Sequence, residues 1–389
     1  MRTKILYVFC GELASGAEIV MESLILNNLQ QVDAHLFISP GKYAEKLISL
    51  QKPYPVNIVP ELKKLNRSST GKVAYLLKAI KNYFSISIKS IAYIKKYEIE
   101  VVHANTVVPA AYLIPAVMFL KIFKPKVKWI WSDHDLKYFK TDEFFSNLSY
   151  KLYDKTITVS NAVKVKYGTK PKVKVLYNVM DTDLFVPDIQ LRTEFRKQWE
   201  IEENTILFTI AGIISPRKGQ LELMNAFIEA QKQFKNIRLF IAGNFGPDFL
   251  EYNQQVKELA AQSDCVRYIG HIDNMVRFYN GCDVIINNSS ANGSEPFGAT
   301  IYEAMSCEKI VMASNTGGLP ELIDAELNGI LFEPDNHESL LNSIQRVAGN
   351  FHNLEDIRKA ARKKVINTFS VKIISGEYNE LIAGLFTDK

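Results

Sequence analysis

The chain has 389 residues, of which 47% are hydrophobic and 23% are charged, as in soluble globular proteins. That length exceeds one ordinary hydrophobic core, so we expect two domains. Its apolar runs are too short to span a bilayer, and a net charge of +5 without an arginine-rich stripe argues against a nucleic-acid binder. The four cysteines are scattered without a CxxC pair, so we expect neither a disulfide framework nor a zinc site, and we expect the cytoplasm as the compartment.

The first half of the sequence alternates strand and helix signals. Residues 4–9 are a continuous apolar run, typical of a buried parallel strand rather than of a signal peptide, and residues 17–26 have a helical period. The glycine-containing turn between them lacks the GxGxxG spacing, but Gly16 would let the backbone approach a ligand closely. Further strands are predicted at 34–38, 56–59, 101–105, 128–131, 155–160 and 174–179.

A basic and aromatic region covers residues 61–97. It holds nine lysines and arginines against one acidic residue, interleaved with apolar side chains. This pattern favours helices that lie on an anionic membrane surface. The alternative is a pair of ordinary amphipathic helices with solvated lysines.

The second half repeats the alternation after a polar stretch that we interpret as a linker at 186–204. Strands are predicted at 205–211, 237–242, 266–269, 284–287, 310–313 and 329–332, and helices near 337–349, 354–368 and 371–385. The predicted domains are 1–185 and 205–365, with a C-terminal helix in 366–389 that packs back on the first domain. The fold class is therefore α/β, with two Rossmann-like doubly wound domains facing each other across a cleft.

One stretch near the end of the second domain concentrates polar chemistry. Pro296 suits the first turn of a helix, which places Glu295 just outside the helix N-terminus and Glu303 about two turns along it. Unpaired amides of that first turn would face the same crevice. Two carboxylates beside amide donors suit a nucleotide sugar, whereas the plainer interpretation puts Glu303 on a solvated helix face.

Four other loops follow predicted strands. Arg217 and Lys218 precede a helix beginning near Gln220, and a guanidinium beside an ammonium suits a diphosphate. The backbone near Ile269 would read a base edge. A glycine pair at 317–318 and a glycine-rich loop at 241–247 would present further amides.

These patterns together resemble the family-4 retaining glycosyltransferases of GT-B fold. The resemblance rests on Arg217-Lys218-Gly219, Gly243 with Gly246-Pro247, Glu295-x7-Glu303 and Gly317-Gly318-x-Pro320-Glu321, in order and spacing, together with the loops at 15–18 and 177–181. It covers nearly the whole chain, most densely over 205–335.

The resemblance implies roles for the matching residues. Arg217 and Lys218 would hold the donor diphosphate, Glu303 the ribose hydroxyls, and Glu295 the donor sugar, while His134 would lie near the anomeric carbon. The other donor-binding positions that we predict are Gly16, Gly212, Gly243, Ile269, Phe297, Gly298 and Ala299. It also implies transfer with retention and without a metal cofactor, with cations and amides stabilising the leaving diphosphate. The partners would be a nucleotide-sugar donor and a glycan or lipid-linked glycan acceptor. The basic region at 61–97 adds an anionic membrane surface, which would place the protein on the inner face of the membrane.

Three alternatives remain at the level of sequence. Asp133 and Asp135 follow a strand as an Asp-x-Asp metal site would, which points to a metal-dependent, single-domain glycosyltransferase. A sugar-nucleotide epimerase of the same fold would rearrange its donor without an acceptor. A non-catalytic subunit would bind the sugar nucleotide alone. His103 ends a strand and is either a lining residue of the cleft or a hydrogen-bonded core residue.

Overall fold

The computed structural model describes residues 2–11, 16–63, 72–124, 126–137, 140–293 and 295–387. Its contacts divide the chain into two compact units. The first unit comprises Met1–Val179 and Val371–Lys389, and the second comprises Met180–Ser370.

The first unit is built on a parallel sheet. In the described ranges its strands are β1 (Thr3–Phe9), β2 (Val32–Ile38), β3 (Val56–Ile58), β4 (Val101–Asn105), β5 (Lys128–Asp133), β6 (Lys155–Thr158) and β7 (Val173–Val175). The order across the sheet is β3-β2-β1-β4-β5-β6-β7. Residues 5–9 of the central strand β1 are fully buried, as expected for a strand covered on both faces.

Helices cover the sheet of the first unit on two sides. They are α1 (Gly16–Asn27), α2 (Lys42–Ser49), α3 (Lys72–Tyr97), α4 (Val107–Tyr112), α5 (Ile114–Phe123), α6 (Lys140–Leu152) and α7 (Asn161–Lys164), with the C-terminal helix Val371–Thr387 added from the far end of the chain. The C-terminal helix contributes Ile374, Tyr378 and Leu381 to the core that contains β1, and it packs against α1. The Tyr378 hydroxyl donates a hydrogen bond to the Tyr7 hydroxyl at 3.2 Å.

The second unit repeats this design. Among the described residues its strands are β8 (Ile206–Ala211), β9 (Ile237–Ala242), β10 (Val266–Gly270), β11 (Val284–Asn287), β12 (Ile310–Ser314) and β13 (Ile330–Phe332). All are parallel, in the order β10-β9-β8-β11-β12-β13. Its helices are α8 (Ile189–Gln198), α9 (Gln220–Gln231), α10 (Leu250–Gln262), α11 (Met275–Gly281), α12 (Ala299–Ser306), α13 (Leu319–Leu322), α14 (His337–Asn350) and α15 (Glu355–Phe369).

The polar stretch at 186–204 that we interpret as a linker is helical over more than half of its length, because it contains α8. Asp188 caps this helix by accepting a hydrogen bond from the amide of Leu191 at 2.9 Å. The guanidinium groups of Arg192 and Arg196 both bind the buried carboxylate of Asp283, at 2.7 and 3.1 Å. In the sequence these two arginines look solvated, because the carboxylate that pairs with them lies almost a hundred residues further along the chain.

Several predicted bounds also shift. The helix expected to begin at Pro296 begins at Ala299, so residues 295–298 form a loop. The pair of helices that was the alternative interpretation of 61–97 is, over the described part, the single 26-residue helix α3. Residues 64–71 of that region, and residues 12–15 of the predicted first turn, lie outside the described residues.

Candidate functional site

The sheet of the second unit reverses its winding at β8. This strand pairs with β9 on one side and with β11 on the other, so the loops that follow β8 and β11 diverge at the carboxyl end of the sheet. A crevice at such a switch point is where open α/β sheets bind ligands. The loop after β8 carries Gly212, Arg217 and Lys218, and the loop after β11 carries Glu295, so the topology places four predicted site residues at this one point.

Gly212 and Gly243 hold the loops after β8 and β9 in direct contact. Gly243 has φ 135°, and a Cβ on it would lie 1.8 Å from the carbonyl oxygen of Gly212, so no other residue fits. The amide of Gly212 donates to Ala242 O at 3.0 Å, and the amide of Gly243 donates to Gly270 O at 2.7 Å. These two predicted donor-binding glycines therefore fix the floor of the crevice by packing backbone on backbone.

Arg217 and Lys218 lie in a 3₁₀ turn, Pro216–Lys218, immediately before α9. Lys218 Nζ forms an ion pair with Glu295 Oε2. Arg217 Nη1 lies 3.8 Å from the same oxygen and donates a hydrogen bond to Gly293 O at 3.2 Å. The Arg217 side chain is exposed, whereas those of Lys218 and Glu295 are largely buried. The structure thus brings together the two cations and the first glutamate of the predicted set.

The glycine pair 317–318 packs against the backbone of Glu295 and fixes its position. Gly318 donates its amide hydrogen to the carbonyl oxygen of Glu295 at 2.8 Å. Gly317 has φ 58°, and a Cβ there would lie 2.1 Å from that same oxygen. The amide of Gly318, which we expected to face a ligand, is therefore used inside the protein to hold the Glu295 loop.

The charge state of Glu295 is set by two opposing effects. Burial alone would raise the pKa of its carboxyl group, but the neighbouring Lys218 and Arg217 and a hydrogen bond from Asn287 lower it below the ordinary value. The carboxylate is therefore ionised at neutral pH and neutralises part of the positive charge at the crevice.

Helix α12 carries the rest of the predicted motif. Gly298 begins it with φ 102°, a conformation that favours glycine, and Ala299 is its first residue. The ring of Phe297 is buried and lies 5.4 Å from the rings of both Tyr302 and Phe369. The side chain of Phe297 is therefore part of the core, so only its backbone remains as a candidate donor contact.

Glu303 is not on a solvated helix face. It is partly buried and accepts a hydrogen bond from the Tyr279 hydroxyl at 2.7 Å. Burial raises the pKa of its carboxyl group to about 7, although the tyrosine hydrogen bond opposes the shift. A carboxylate with one oxygen held by Tyr279 keeps acceptor capacity for a ligand hydroxyl.

Ile269 lies on the edge strand β10, with β9 between it and β8. It lines a surface depression of about 300 Å³ together with Trp199, His271 and Phe278. The adjacent Gly270 accepts the hydrogen bond from Gly243, which ties the end of β10 to the floor of the crevice.

The sheet of the first unit also reverses its winding, between β1 and β4. A hydrogen bond joins His134 to the end of β4 at this point. Asn105, the last residue of β4, accepts a hydrogen bond from His134 Nε2 at 2.9 Å and donates one to Ala17 O at 3.1 Å. Burial lowers the pKa of His134 to about 4, so its imidazole is neutral at physiological pH. Gly16 begins α1 beside this group. Apart from its chain neighbours and the backbone of α1, no atom of the described residues lies within 4 Å of the position that a Cβ on Gly16 would take.

The Asp-x-Asp pattern serves the protein's own packing. Asp133 is fully buried, and its Oδ2 accepts hydrogen bonds at 2.6 Å from the Tyr167 hydroxyl and from Lys166 Nζ. Its Oδ1 accepts the amide hydrogen of Asp135 at 3.1 Å. A carboxylate used by a lysine, a tyrosine and a backbone amide is a poor cation ligand. Within the described ranges, no three His, Cys, Asp or Glu side chains gather as a metal site requires.

Two residues at these sites had little or no signal in the sequence. Asn105 was visible only as a polar end to a predicted strand, and Tyr279 lies inside an ordinary helix pattern. His103 proves to be a core residue: its Nδ1 bonds the Tyr378 hydroxyl at 2.9 Å and its Nε2 bonds Ser132 Oγ at 2.7 Å.

A family model of known proteins matches most of the second unit. Residues 192–364 match the family model described as Glycosyl transferases group 1. An uncharacterised glycosyltransferase of Methanocaldococcus jannaschii is 30% identical over 232 residues, 57% of this chain and 57% of the relative. The lipopolysaccharide 1,2-N-acetylglucosaminetransferase of Salmonella typhimurium is 30% identical over 199 residues, 49% of this chain and 51% of the relative. The chain thus matches little more than half the length of these two relatives.

Solved structures extend the likeness to both units. A crystal structure of the Anabaena protein HepE in complex with UDP-glucose superposes with a TM-score of 0.80 over 98% of this chain and 100% of that one, at 23% identity. The fold is GT-B, with two doubly wound, Rossmann-like domains.

Proposed function

We propose that the protein is a group 1 glycosyltransferase that moves a sugar from a nucleotide diphosphate to a glycan or lipid-linked glycan, with retention and without a metal ion. The observation that carries the proposal is the Arg217–Lys218–Glu295 cluster at the switch point of the second unit. The family match over 192–364 contains the whole cluster. We also propose that it works in the cytoplasm.

The cluster suits the leaving half of a sugar nucleotide. Breaking the bond between the sugar and the diphosphate leaves negative charge on the phosphate oxygen. An ammonium and a guanidinium that already converge on one point stabilise that charge without rearranging as it develops. The exposed Arg217 is able to bind phosphate oxygens as a fork, while the more buried Lys218 acts as a fixed positive charge.

Two carboxylates would then bind hydroxyl groups on either side of the diphosphate. Glu303, fixed by Tyr279, would accept hydrogen bonds from the ribose. Glu295, which is ionised, would bind a hydroxyl of the donor sugar. The backbone of residues 297–299 at the start of α12 would add amide donors and the positive end of the helix dipole.

His134 would act as a hydrogen-bonding group and not as a general acid. Because its Nε2 hydrogen is donated to Asn105, its Nδ1 carries a lone pair, and its low pKa keeps the ring neutral. A neutral imidazole accepts a hydrogen bond from a sugar hydroxyl near the anomeric carbon. For retention we propose front-face attack, with the departing phosphate taking the proton of the acceptor hydroxyl.

A thermal-shift panel of UDP, GDP, ADP, CMP and dTDP, with and without EDTA, tests the donor site. We expect stabilisation by one nucleoside diphosphate that survives EDTA and that Arg217→Ala/Lys218→Ala abolishes. Lys232→Ala/Lys235→Ala is the matched control, because it removes two exposed lysines from the same unit. Absence of stabilisation by every nucleotide would overturn the donor-site assignment, and stabilisation lost in EDTA would overturn metal independence.

Incubation with the matching sugar nucleotide, followed by product analysis, tests the reaction. We expect transfer to an added glycan or lipid-linked acceptor, with the anomeric configuration of the donor preserved in the NMR spectrum of the product. An epimerised nucleotide sugar formed without acceptor would contradict the proposal, as would an inverted product.

A further inference from the structure

Helix α3 exposes an apolar stripe where a helix facing water would be polar. Leu77, Phe84 and Ile88 lie on one helical face at spacings of seven and four residues, and they are 63%, 60% and 65% exposed. The opposite face carries Ile86 and Ile94, which are fully buried in the core of the first unit. The helix is therefore apolar on two opposite faces. Only the face that carries Ile86 and Ile94 packs against the core of the first unit.

A second exposed apolar stripe lies on the neighbouring helix α5, which packs against α3. Its Ile122 and Phe123 are 73% and 68% exposed, and Met118 is also exposed. Lys95 of α3 places its ammonium 5.6 Å from the ring centroid of Phe119 on α5, so the C-terminal part of α3 lies beside the α5 stripe. We call Leu77, Ile80, Phe84 and Ile88 of α3, with Met118, Phe119, Ile122 and Phe123 of α5, the outer face.

Helix α3 itself carries charge of one sign, and of its lysines Lys89 is paired with Glu61 outside the helix at 2.7 Å. Helix α3 contains six lysines and no acidic residue in its 26 residues. Lys78, Lys81 and Lys95 are exposed beside the apolar stripe. Lysine stems reach over apolar surface while their ammonium groups point outward, which matches the boundary between acyl chains and anionic headgroups.

We propose that the outer face inserts shallowly into the surface of an anionic lipid bilayer. The phenylalanine and isoleucine side chains would lie at the boundary between headgroups and acyl chains, with α3 parallel to the membrane plane. No helix in the described part of the chain combines the length and apolarity needed to cross a bilayer. The proposal goes beyond glycosyl transfer and does not depend on it.

A second copy of this chain is a less suitable occupant. A twofold interface pairs the same surface with itself, so the basic rim of one copy would lie against the basic rim of the other. Like charges brought together at the edge of an apolar contact weaken it. An anionic lipid surface satisfies both the apolar and the basic component.

Co-flotation of the full chain with liposomes tests the inference. The probes are vesicles of phosphatidylcholine alone and of an equal mixture of phosphatidylcholine and phosphatidylglycerol, at about 0.01 M and about 0.15 M salt, where the screening length falls from about 30 Å to about 8 Å. We expect binding to the anionic vesicles, stronger at low salt. Phe84→Ser/Ile88→Ser/Ile122→Ser/Phe123→Ser should lower the partition coefficient by at least about 100-fold.

Matched controls separate the outer face from exposed apolar or basic residues in general. Ile189→Ser/Leu250→Ser removes two side chains that are each 76% exposed in the second unit, and we expect it to leave flotation unchanged. Lys81→Gln/Lys95→Gln should weaken low-salt binding by about 25-fold, since each lysine near an anionic surface contributes about fivefold. Lys232→Gln/Lys235→Gln should have little effect.

Three results would overturn the inference. The first is absence of binding to anionic vesicles at low salt by the parent protein. The second is equal binding by the parent and the fourfold serine variant, with circular dichroism showing both folded. The third is a concentration-dependent dimer, seen by analytical ultracentrifugation, that the serine variant dissolves while neither protein floats. Nucleotide stabilisation in the thermal-shift panel is read separately, so failure here leaves the donor site intact.

Discussion

The ion pair between Lys218 and Glu295 means that the candidate diphosphate site is already occupied by a carboxylate of the protein. A nucleoside diphosphate must compete with Glu295 for Lys218, and for Arg217, which lies 3.8 Å from the same oxygen. We therefore predict that Glu295→Gln strengthens the binding of a nucleoside diphosphate. The amide keeps the shape of the side chain and removes its charge.

The size of the effect follows from the burial of the pair. A hydrogen bond to a charged group contributes about 1.5 to 3 kcal/mol net, and the Lys218 and Glu295 side chains are largely shielded from solvent. Relieving this competition should lower the Kd by about tenfold to a hundredfold, because each 1.4 kcal/mol corresponds to a factor of ten. The same substitution should slow sugar transfer, since the carboxylate is proposed to bind the donor sugar.

Isothermal titration calorimetry with whichever nucleoside diphosphate stabilises the parent measures this directly, because that ligand lacks the sugar. Glu326→Gln is the matched control: it removes a carboxylate paired with Arg346 on the exposed surface of the same unit and should leave the Kd unchanged. An unchanged or weaker affinity in Glu295→Gln would refute the view that Glu295 competes with the diphosphate.

Three further predictions concern charge and stability. The folded-state pKa of Glu303, about 7, lies above its ordinary 4.5, so the carboxyl group contributes stability at low pH that is lost as pH rises from about 4.5 to 7. Glu303→Gln should therefore match the parent near pH 4.5 and exceed its free energy of unfolding by about 3 kcal/mol above pH 7, as measured by urea denaturation. The folded-state pKa of His134, about 4, lies below its ordinary 6.5, so its imidazole should show no titration between pH 8 and 5.5 by NMR, and its contribution to stability should fall as pH drops from 6.5 to 4. Asp283→Asn leaves Arg192 and Arg196 without their common carboxylate and should cost about 3 to 5 kcal/mol, measured by chemical denaturation.

Each of these has a result that contradicts it. Superimposable stability curves for the parent and Glu303→Gln from pH 4.5 to 8 would show that the carboxyl group is not perturbed. A His134 midpoint near 6.5 would show that the ring is solvated. A cost below about 1 kcal/mol for Asp283→Asn, equal to that of the exposed control Asp264→Asn, would mean that the arginines find other partners.

The sheet strands were readable from the sequence because burial on both faces leaves long apolar runs. Residues 4–9 and 205–211 show this clearly, and most strands begin and end within two residues of their predicted places. The exception is β7, which ends at Val175, four residues before the predicted end at 179. The turn at 295–298 was harder, because Pro296 is compatible with a helix start and the sequence does not reveal that Gly298 takes φ 102°. Local propensity predicts the existence of α12. Its first residue depends on tertiary structure, because the glycine pair at 317–318 holds the loop that precedes the helix.

Distant charge pairing is what the sequence hid most completely. Arg192 and Arg196 looked like linker charges because their partner, Asp283, belongs to a different part of the pattern. Asp133 and Asp135 looked like a metal motif because Lys166 and Tyr167 lie on a later segment. The Lys218–Glu295 contact follows from sheet order, which places the loops after β8 and β11 together, but periodicity alone does not establish that order.

The first unit is assembled from both ends of the chain, and this affects how it is made. During synthesis residues 1–179 leave the ribosome first, but Ile374, Tyr378 and Leu381, which complete the core around β1, come only with the last twenty or so residues. The second unit is contiguous and is able to finish folding earlier. The unit encoded first is therefore completed only after the second unit has been made, and until then the surface of α1 that the C-terminal helix covers stays open to chaperones.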